Sequence, residues 1–409
     1  MTSACDPASV DLNSIFIMKV SESFADPGID RDEWDSFAAR QDAEIYQSYE
    51  WSRLWWEFYG RDRALRVVTF HRGDRLVALL PFFIETVGFG PFRVRIAKQV
   101  SSDFTMGTLR PLIEPGFIEP IHKELVRFFL ETEGCDGLRW GPIAGKETIQ
   151  RLIAAAETGE HSLDTTCHRI PHGVESVLEL PATFEEYLSG ISKNHRTNYR
   201  RTRNRLKREK DYESVTVQSA SESIHLFEEF RSLHNRQWES VGEPGHFGDW
   251  PSALEFHRDL VQTLSPRGQL LLVCGLAEGE VVSAQYGYGF GERLTWLLPA
   301  RRIEDDWSKY GLGRVGFVDM VEAAITEGYR KIHLGGAYWG YKSDLGGKEE
   351  NAESILVSMS GKSARKVKRL LLLMRIYGIL YYKIWFKRVA PKLPWKRHPQ
   401  WQSWIRWRL

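Results

Sequence analysis

The chain has 409 residues and a mass of 47.3 kDa, more than one ordinary hydrophobic core accommodates, so two domains are expected. Its 42% hydrophobic and 27% charged residues exclude wholesale disorder. The net charge of +1 conceals an asymmetry, because residues 361–409 contain fourteen Lys or Arg and neither Asp nor Glu, which leaves an acidic body and a basic end.

The N-terminal segment lacks the pattern of a secretory signal. No basic region precedes its short apolar run, Ile15–Met18. The cysteines Cys5, Cys135, Cys167 and Cys274 lie far apart and share no metal-ligand spacing, so neither a disulfide framework nor a zinc ribbon is expected. These observations predict a cytoplasmic protein without a bound metal.

One pattern of strands occurs twice along the chain. In each half, two strand-like segments are joined by a tight turn that contains a glycine, Gly73 or Gly279. A third strand-like segment follows each pair, and an aromatic-rich helical segment precedes it. The segments are Trp51–Tyr59, Leu65–Phe70, Arg75–Ile84 and Phe92–Ile96 in the first half, and Ile224–Trp238, Gln269–Cys274, Glu280–Gly289 and Arg293–Leu298 in the second. A repeat over about 200 residues is too long for a solenoid and predicts two related domains, residues 1–180 and 181–360, with residues 361–409 as a tail.

A helix and two further strands follow the second hairpin. Arg301–Tyr310 is polar and indicates a loop, whereas Leu312–Glu327 has helical periodicity and ends at Gly328, a suitable C-cap. Lys331–Leu334 and Ser354–Met359 have the composition of strands. The predicted fold class is therefore α/β (α+β), with mixed, largely antiparallel sheets flanked by helices.

The predicted helix at residue 312 begins with a glycine-rich segment, Gly311–Gly316, of the form GxGxxG. Glycines let the backbone approach a diphosphate, and a helix N-terminus offers unpaired N–H donors. A dinucleotide fold needs a strand directly before the glycines and an acidic residue about 20 positions on. Here a polar segment intervenes and Glu327 lies within the helix, so purely structural glycines are the alternative to a diphosphate site.

The segment Ser308–Gly313 resembles the coenzyme A pyrophosphate signature of GNAT acyltransferases, Gln/Arg-x-x-Gly-x-Gly/Ala, and the order of elements matches that fold. Ser308 stands where that family usually has Gln or Arg, so Lys309 or Arg314 would supply the charge. The resemblance implies acetyl-CoA or another acyl-CoA as co-substrate. It assigns the binding to Lys309, Gly311, Leu312, Gly313 and Arg314.

Further segments resemble the CelD/BcsL-like acetyltransferases of the GNAT superfamily, which are associated with cellulose and exopolysaccharide synthesis. They are Trp51, Tyr59-Gly60, Leu79-Leu80-Pro81, Ser102-Asp103-Phe104, Ile191–Arg196, Asn198–Arg201, Glu327–Arg330 and Tyr341-Lys342. The resemblance implies tandem GNAT-like domains and transfer of an acyl group to nitrogen or oxygen of a sugar or polysaccharide precursor.

Residues 193–210 form a basic segment with nine Lys or Arg and one acid. Its cations recur every three or four residues, which predicts a helix with one basic face, and Ser192 is a suitable N-cap. Like charges at this spacing repel, and an anionic partner would relieve the repulsion. We expect Arg196 and Arg200 to bind an anionic substrate; a solvated helix that pairs with the acidic body is the alternative.

Acyl transfer needs a base for the acceptor's proton and often an acid for the leaving thiolate. Glu304, Asp305 and Asp306 could each act as the base; Asp306 is the predicted one, with an acid at a helix N-terminus as the alternative. His333 is a further candidate if it faces the cleft, although a hydrogen-bonded structural histidine is the more expected role. Tyr341 is predicted to act as the acid or to position the acceptor, and Tyr310 is a second candidate acid. Lys342 is predicted to contact an anion, and Asp103 to line the groove between the halves.

The tail joins its fourteen basic residues to five tryptophans. No apolar run in it reaches the roughly 18 to 20 residues that a membrane span needs. Basic and aromatic residues together suit an anionic membrane surface, so we expect peripheral contact with the inner face of the plasma membrane, with a helix packed on the body as the alternative.

Three functions are consistent with these patterns. The first is an acyl-CoA-dependent acyltransferase acting on a saccharide or another small acceptor. The second is a Fem-like transferase that takes an aminoacyl group from tRNA, although nucleic acid is the less expected partner. The third is a non-enzymatic accessory protein of a polysaccharide synthase.

Overall fold

In the part of the chain that the structure describes, twelve strands form one mixed sheet. A computed structural model describes residues 16–105, 107–157, 164–217, 219–242, 245–248, 250–336, 340–389 and 392. The strands are β1 (Ile17–Ser21), β2 (Ala64–Arg72), β3 (Arg75–Val87), β4 (Val94–Gln99), β5 (Gly137–Ala144), β6 (Thr165–Glu179), β7 (Glu213–Thr216), β8 (Leu270–Ala277), β9 (Glu280–Phe290), β10 (Arg293–Arg301), β11 (Lys331–Gly336) and β12 (Lys348–Met359).

Helices cover both faces of this sheet. They are α1 (Arg31–Arg40), α2 (Tyr49–Tyr59), α3 (Ile118–Arg127), α4 (Lys146–Glu157), α5 (Phe184–Gly190), α6 (Lys193–Lys210), α7 (Ala220–Glu239), α8 (Ala253–Leu264), α9 (Asp305–Ser308), α10 (Leu312–Thr326), α11 (Gly340–Asp344) and α12 (Lys362–Ile379). α12 continues directly into a π-helical segment, Leu380–Val389.

The strand order repeats when it is followed inward from each edge of the sheet. The full order is β1-β2-β3-β4-β5-β12-β6-β11-β10-β9-β8-β7. The first four strands of each half are antiparallel neighbours, and the fourth and fifth are parallel: β4 with β5, and β10 with β11. The predicted duplication and the predicted mixed, helix-flanked sheet are therefore confirmed.

The two halves exchange their last strands at the centre of the sheet. β6 follows β5 in the chain but pairs with β11 and β12, and β12 follows β11 but pairs with β5 and β6. All pairings of β6 and β12 are antiparallel. Each half therefore completes its sheet with a strand from the other. The division at residues 180 and 360 stays a prediction.

One face of the sheet carries a core that both halves share. α1, α2, α7 and α8 cover this face and bury their aromatic side chains against it. Trp51 of α2 packs edge-on against Phe256 of α8 and Tyr288 of β9, with ring centroids 5.5 and 5.8 Å apart. Contacts of this kind stabilise an apolar core beyond the area that they bury. The helices of the two halves are therefore joined on this side by one continuous apolar layer.

The opposite face carries separate helical layers. α3 and α4 pack on the first half, and α5, α6 and α10 pack on the second. α12 lies instead on the face that carries α1 and α2, because it packs through Val367 and Leu370 against Ile96 of β4 and Leu356 of β12, whose neighbours Ala97 and Val357 face α3 and α4. The first part of the predicted tail is thus a helix held on the body.

Most local signals in the sequence have the predicted conformation. Gly73 and Gly279 adopt left-handed φ angles of +61° and +80° in their turns. α6 begins after Ser192, whose Oγ accepts from the N–H of His195, and α10 ends before Gly328 at φ +86°. The predicted loop before α10 contains the short helix α9.

Candidate functional site

β10 and β11 separate partway along their length. They pair in parallel only where Arg293–Thr295 lies beside Lys331–His333, whereas β10 continues to Arg301. Beyond Thr295 the described residues form no further pairs between these two strands. The backbone N–H and C=O groups on this side of β10 are therefore open to an extended polar ligand.

A β-bulge lies within this opening. The register between β10 and β9 shifts between Trp296 and Leu298, which leaves Leu297 as the extra residue. A bulge increases the local twist and redirects the neighbouring side chains. The indole Nε1 of Trp296 donates to Oε1 of Gln285 at 3.0 Å, and this contact holds the ring in place.

A cavity of about 660 Å³ lies beside the opening, between α6, β10 and the start of α10. Its lining includes Tyr199 of α6, Trp296 of β10, and Gly311 and Gly313 at the start of α10. Gly311 is the N-cap of α10 at φ +54°, a left-handed conformation that favours glycine. Leu312 is buried and anchors the first turn. The first N–H groups of a helix have no partner within it, so this end of α10 offers the cavity a set of donors.

Two arginines add positive charge to the same cavity. Arg301 and Arg314 both line it, and neither forms an ion pair within the described ranges. Lys309 lies nearby, with its Nζ 5.1 Å from the centroid of the Tyr310 ring. Amide donors at a helix start, together with guanidinium groups, suit a ligand with a diphosphate. The residues present therefore fit the phosphate end of an acyl-CoA.

A buried carboxylate fastens α6 to α10 behind the cavity. Asp319 of α10 accepts from the hydroxyl of Tyr199 at 2.9 Å and from that of Tyr212 at 2.7 Å. Arg203 of α6 contributes Nε 3.3 Å from Oδ1 of the same carboxylate. Burial raises the pKa of Asp319, and Arg203 and the two tyrosines oppose this rise. These bonds hold Tyr199 at the cavity wall.

The two faces of the sheet carry different groups where β10 and β11 part. Leu294 and Ile332 are paired across the two strands and face the core under α10. Thr295 and His333 are the next pair, and alternation along a strand places them on the opposite face. The opening therefore has the cavity on one side and His333 on the other.

His333 lies in a buried cluster of carboxylates. Its Nε2 is 3.3 Å from Oε2 of Glu175 on β6, within ion-pair distance, and neither ring nitrogen meets hydrogen-bond geometry with a described residue. Thr295 donates to Oε2 of Glu44 at 2.7 Å, and Arg293 lies 3.4 Å from Oε1 of the same carboxylate. Burial lowers the pKa of His333, but Glu44 and Glu175 outweigh it, so the net pKa is raised.

Lys342 approaches the same cluster from α11. It is buried, and its Nζ donates to the carbonyl oxygens of Gly335 at 3.2 Å and Gly336 at 3.0 Å. Burial lowers the pKa of Lys342, while Glu175 and Glu349 oppose the change. Two predicted site residues, His333 and Lys342, are thus brought together around Glu175.

The other predicted catalytic residues lie on the α10 side or have no described side chain. Asp306 is exposed on α9. Tyr310 is buried, and its hydroxyl donates to Oε2 of Glu209 on α6 at 2.9 Å. Tyr341 lies in α11, but its side chain is outside the described residues. Their catalytic roles stay predictions.

Arg196, Arg200 and Asp103, which were predicted to contact the substrate or to line the groove, lie outside this site and bind other groups of the protein. Arg196 donates to the carbonyl oxygen of Leu188 at 3.1 Å, and Arg200 to Oε2 of Glu185 at 2.7 Å. Burial raises the pKa of Asp103, but Lys98 and Arg63 outweigh it, and the pKa is lowered. Lys98 and Arg63 lie 3.0 and 2.9 Å from its carboxylate oxygens.

The structure adds groups that the motifs did not indicate. Glu44 and Glu175 come from distant parts of the chain, and Arg301 and Asp319 belong to no recognised motif. The sequence itself shows the basic composition of α6 and the glycines of α10. It does not show which residues they contact in the folded protein. Within the described residues no group of three or more His, Cys, Asp or Glu is arranged to hold a metal ion.

Residues 193–343 match the family model of the GNAT acetyltransferase domain. This range includes the cavity, the start of α10, His333 and Lys342. The chain thus carries an acyltransferase domain of the GNAT type and is an enzyme of that class. A search of curated proteins finds no significant match to the sequence.

Experimental structures extend the similarity of fold over most of the chain. The structure of FemX has 12% identity and a TM-score of 0.58, covering 80% of this chain and 96% of its own. A conserved protein of unknown function from Bacteroides thetaiotaomicron VPI-5482 has 13% identity and a TM-score of 0.51, covering 84% of this chain and 100% of its own. A tandem GNAT protein from the clavulanic acid biosynthesis pathway has 13% identity and a TM-score of 0.41, covering 85% and 99%. At such identities the first two similarities concern the fold alone, and the third, with a TM-score below 0.5, supports no conclusion about this chain.

Proposed function

We propose that this GNAT-type enzyme transfers an acyl group from acetyl-CoA or another acyl-CoA to an amine or hydroxyl of a saccharide or polysaccharide precursor. The observation that supports this proposal is the cavity at the start of α10, where helix N–H groups adjoin the open side of β10 together with two arginines that form no ion pair with any described residue. The saccharide acceptor has its support in the CelD/BcsL resemblance of the sequence.

Each part of the cavity has a role in holding the donor. The N–H groups at Leu312 and Gly313 and the guanidinium groups of Arg301 and Arg314 bind the diphosphate. The open backbone groups of β10 pair with the amides of the pantetheine arm, as an added strand would. The bulge at Leu297 breaks this pairing where the two strands part, so the reactive end lies at the gap in the sheet.

His333 is the base that this proposal favours. The negative charge of Glu175, 3.3 Å from Nε2, favours the proton on that nitrogen, which leaves Nδ1 to accept the proton of the acceptor as its nitrogen or oxygen bonds to the acyl carbon. The carbon–sulfur bond then breaks, and the predicted acid Tyr341 returns a proton to the sulfur. Asp306, acting through water, is the alternative base.

Calorimetric titration with acetyl-CoA and longer acyl-CoAs tests the donor. Arg301→Gln with Arg314→Gln removes two charge-assisted contacts, so we expect affinity to fall by about 100-fold. Gly313→Val puts a side chain beside Arg301, whose Cδ lies 3.3 Å from an added Cβ, and it also weakens binding. Gly116→Ala, where an added Cβ meets open space, is the control. Absence of saturable binding by every acyl-CoA would remove the proposal.

Release of free thiol from a bound acyl-CoA tests the acceptor. We expect release to accelerate when amino sugars or oligosaccharides are added, and not when lysine-containing peptides are added. Faster release with the peptides than with the sugars would leave acyl-CoA as the proposed donor and overturn the proposal of a saccharide acceptor.

The second candidate is transfer of an aminoacyl group from tRNA, which the basic helix α6 favours. Lys193, Arg201 and Lys207 are exposed there and have no ion pair among the described residues. The other cations of α6 are mostly engaged, as Arg200 is with Glu185 and Arg205 with Glu209, which reduces the charge available for RNA. Salt-sensitive binding of charged tRNA without binding of any acyl-CoA would establish this candidate instead.

A further inference from the structure

α12 is bound to the body along one side only. Val367, Leu370 and Met374 are buried in a cluster with residues of β3, β4 and β12, such as Ile96. Lys366 pairs with Asp136 at 2.9 Å on the same body. The helix is therefore positioned by packing and by an ion pair, and its remaining surface faces outward.

The outward side of the helix and its π-helical continuation carries an apolar patch. We call it the tail patch, and it consists of Leu372, Ile376, Ile379, Leu380 and Ile384 with Phe89 of the neighbouring turn after β3. These side chains are between 43% and 58% exposed. They are six of the ten large hydrophobic side chains that are exposed in the described part of the chain. Such a concentration marks an interaction surface.

Cations precede, interrupt and follow the tail patch along the helix. The exposed ones are Lys362, Arg365, Lys368, Arg369, Arg375, Lys383 and Arg388. Within the described residues none of them forms an ion pair, and residues 361–409 contain no Asp or Glu. The surface therefore combines exposed apolar side chains with uncompensated positive charge.

We propose that the tail patch docks on an anionic lipid surface, with α12 lying in the plane of the membrane interface. An apolar stripe enters the headgroup boundary, and the flanking Lys and Arg side chains extend to the phosphates. Each basic side chain near such a surface strengthens binding by about fivefold. None of the described helices has the length and hydropathy that crossing a bilayer requires.

A second copy of the chain fits this surface less well. A two-fold contact places the same patch on both subunits, so the uncompensated cations of one copy would meet those of the other. A lipid surface supplies negative charge and apolar depth together. The charge complementarity therefore favours the bilayer.

Flotation of the full-length protein with vesicles tests this proposal. Vesicles of phosphatidylglycerol and phosphatidylcholine are compared with pure phosphatidylcholine at low and high salt. We expect binding to the anionic vesicles that weakens with salt. Neutralising Arg365, Arg369, Arg375 and Lys383 to Gln lowers the partition coefficient by about 100-fold or more.

Matched variants distinguish the effect of the tail patch from the effect of the protein's overall charge. Lys19, Arg61, Arg72 and Lys348 changed to Gln remove the same charge from exposed positions elsewhere, and vesicle binding remains within about threefold of the parent. Leu372→Ser with Ile376→Ser and Leu380→Ser lowers binding by at least about tenfold, whereas Val241→Ser, at an exposed apolar residue in another region, does not.

Three outcomes would overturn the proposal. They are absence of vesicle binding, an equal loss in the two charge variants, and a dimer in light scattering that the Leu372, Ile376 and Leu380 substitutions dissociate. Acyl-CoA titration of the same variants keeps this test apart from the donor proposal, since α12 contributes nothing to the cavity lining.

Discussion

His333 is a buried imidazole whose charge depends on two carboxylates. Burial alone would keep it neutral, yet Glu44 and Glu175 raise its pKa above the ordinary value of 6.5. The protonated ring therefore stabilises the fold below about pH 6.5, and this contribution is lost as pH rises through the folded pKa. As a base it must be neutral, so activity has the opposite dependence on pH.

We predict that kcat rises with pH through an acid limb whose midpoint lies above 6.5. Glu175→Gln removes one of the charges that favour the imidazolium, so the pKa of His333 falls and the acid limb moves to lower pH. His333→Gln lowers kcat by about 100-fold or more. The measurement is the pH profile of thiol release for the three proteins.

His225→Gln is the control for this series. His225 is exposed on α7 and faces Glu229, so its loss leaves the profile unchanged. An acid limb that stays in place in Glu175→Gln would assign the base to another residue, with Asp306 next in order.

His333 and Glu175 differ in how clearly the sequence indicates them as site residues. His333 stood out because alternation in a short predicted strand set it apart from Ile332 and Leu334. Glu175 gave no signal, because it lies in a separate strand of the other half and belongs to no motif. Its role arises only from the pairing of β6 with β11.

Among the helices, α6 and α10 depend on each other through Asp319. Its carboxylate accepts from two buried tyrosine hydroxyls and faces Arg203. Removing one partner of such a buried group leaves the others desolvated and unpaired. The stability of the cavity wall therefore depends on this one side chain.

Asp319→Ala is predicted to lower the free energy of unfolding by about 3 kcal/mol. It also weakens acyl-CoA binding, because Tyr199 loses the bond that holds it at the cavity. Urea unfolding monitored by circular dichroism measures the first effect, and calorimetric titration the second.

Glu322→Gln is the matched control, since Glu322 also pairs with Arg203 at 3.0 Å but is partly exposed. We expect a cost of about 0.5 kcal/mol or less. Equal losses in the two variants would show that Asp319 contributes no more than a surface ion pair.

Local signals predicted elements well when they were strong. The two hairpins, α6 with its cap at Ser192 and α10 with its terminal glycine all follow from short patterns. β12 was predicted from Ser354 but begins at Lys348, because its first residues are polar and exposed and lack the composition of a strand. Composition alone does not show that a neighbouring strand pairs with such residues.

The molecule as a whole is organised by the exchange of β6 and β12. β12 has β5 on one side and β6 on the other, and β6 has β12 and β11. Removing either strand leaves open backbone groups and apolar side chains in the middle of the sheet.

We predict that residues 1–180 and 181–409, expressed separately, do not fold. The first piece lacks β12, and the second lacks β6. Both are expected to be insoluble or unfolded by circular dichroism, whereas coexpression yields a complex of the two with the helical content of the intact chain. A soluble second piece with a cooperative urea transition would contradict this prediction.

The sequence does not predict the exchange of β6 and β12, although it does predict the repeated pattern of strands. Duplicate hairpins are local and give duplicate patterns, but strand order at the centre depends on pairing between residues far apart in the chain. A sheet with this exchange and a sheet without it place the same residues in strands. Only the pairing in the assembled sheet distinguishes the two orders.

The position of β12 also determines when the nascent chain becomes complete. β5 leaves the ribosome with one edge unpaired, and its partner β12 is synthesised about 200 residues later, which takes roughly 10 to 40 s at ordinary elongation rates. During this interval the unpaired edge of β5 is open to pairing with other chains. Translation speed and chaperone supply therefore affect the yield of folded protein more than they would in a chain whose two halves each complete their own sheet.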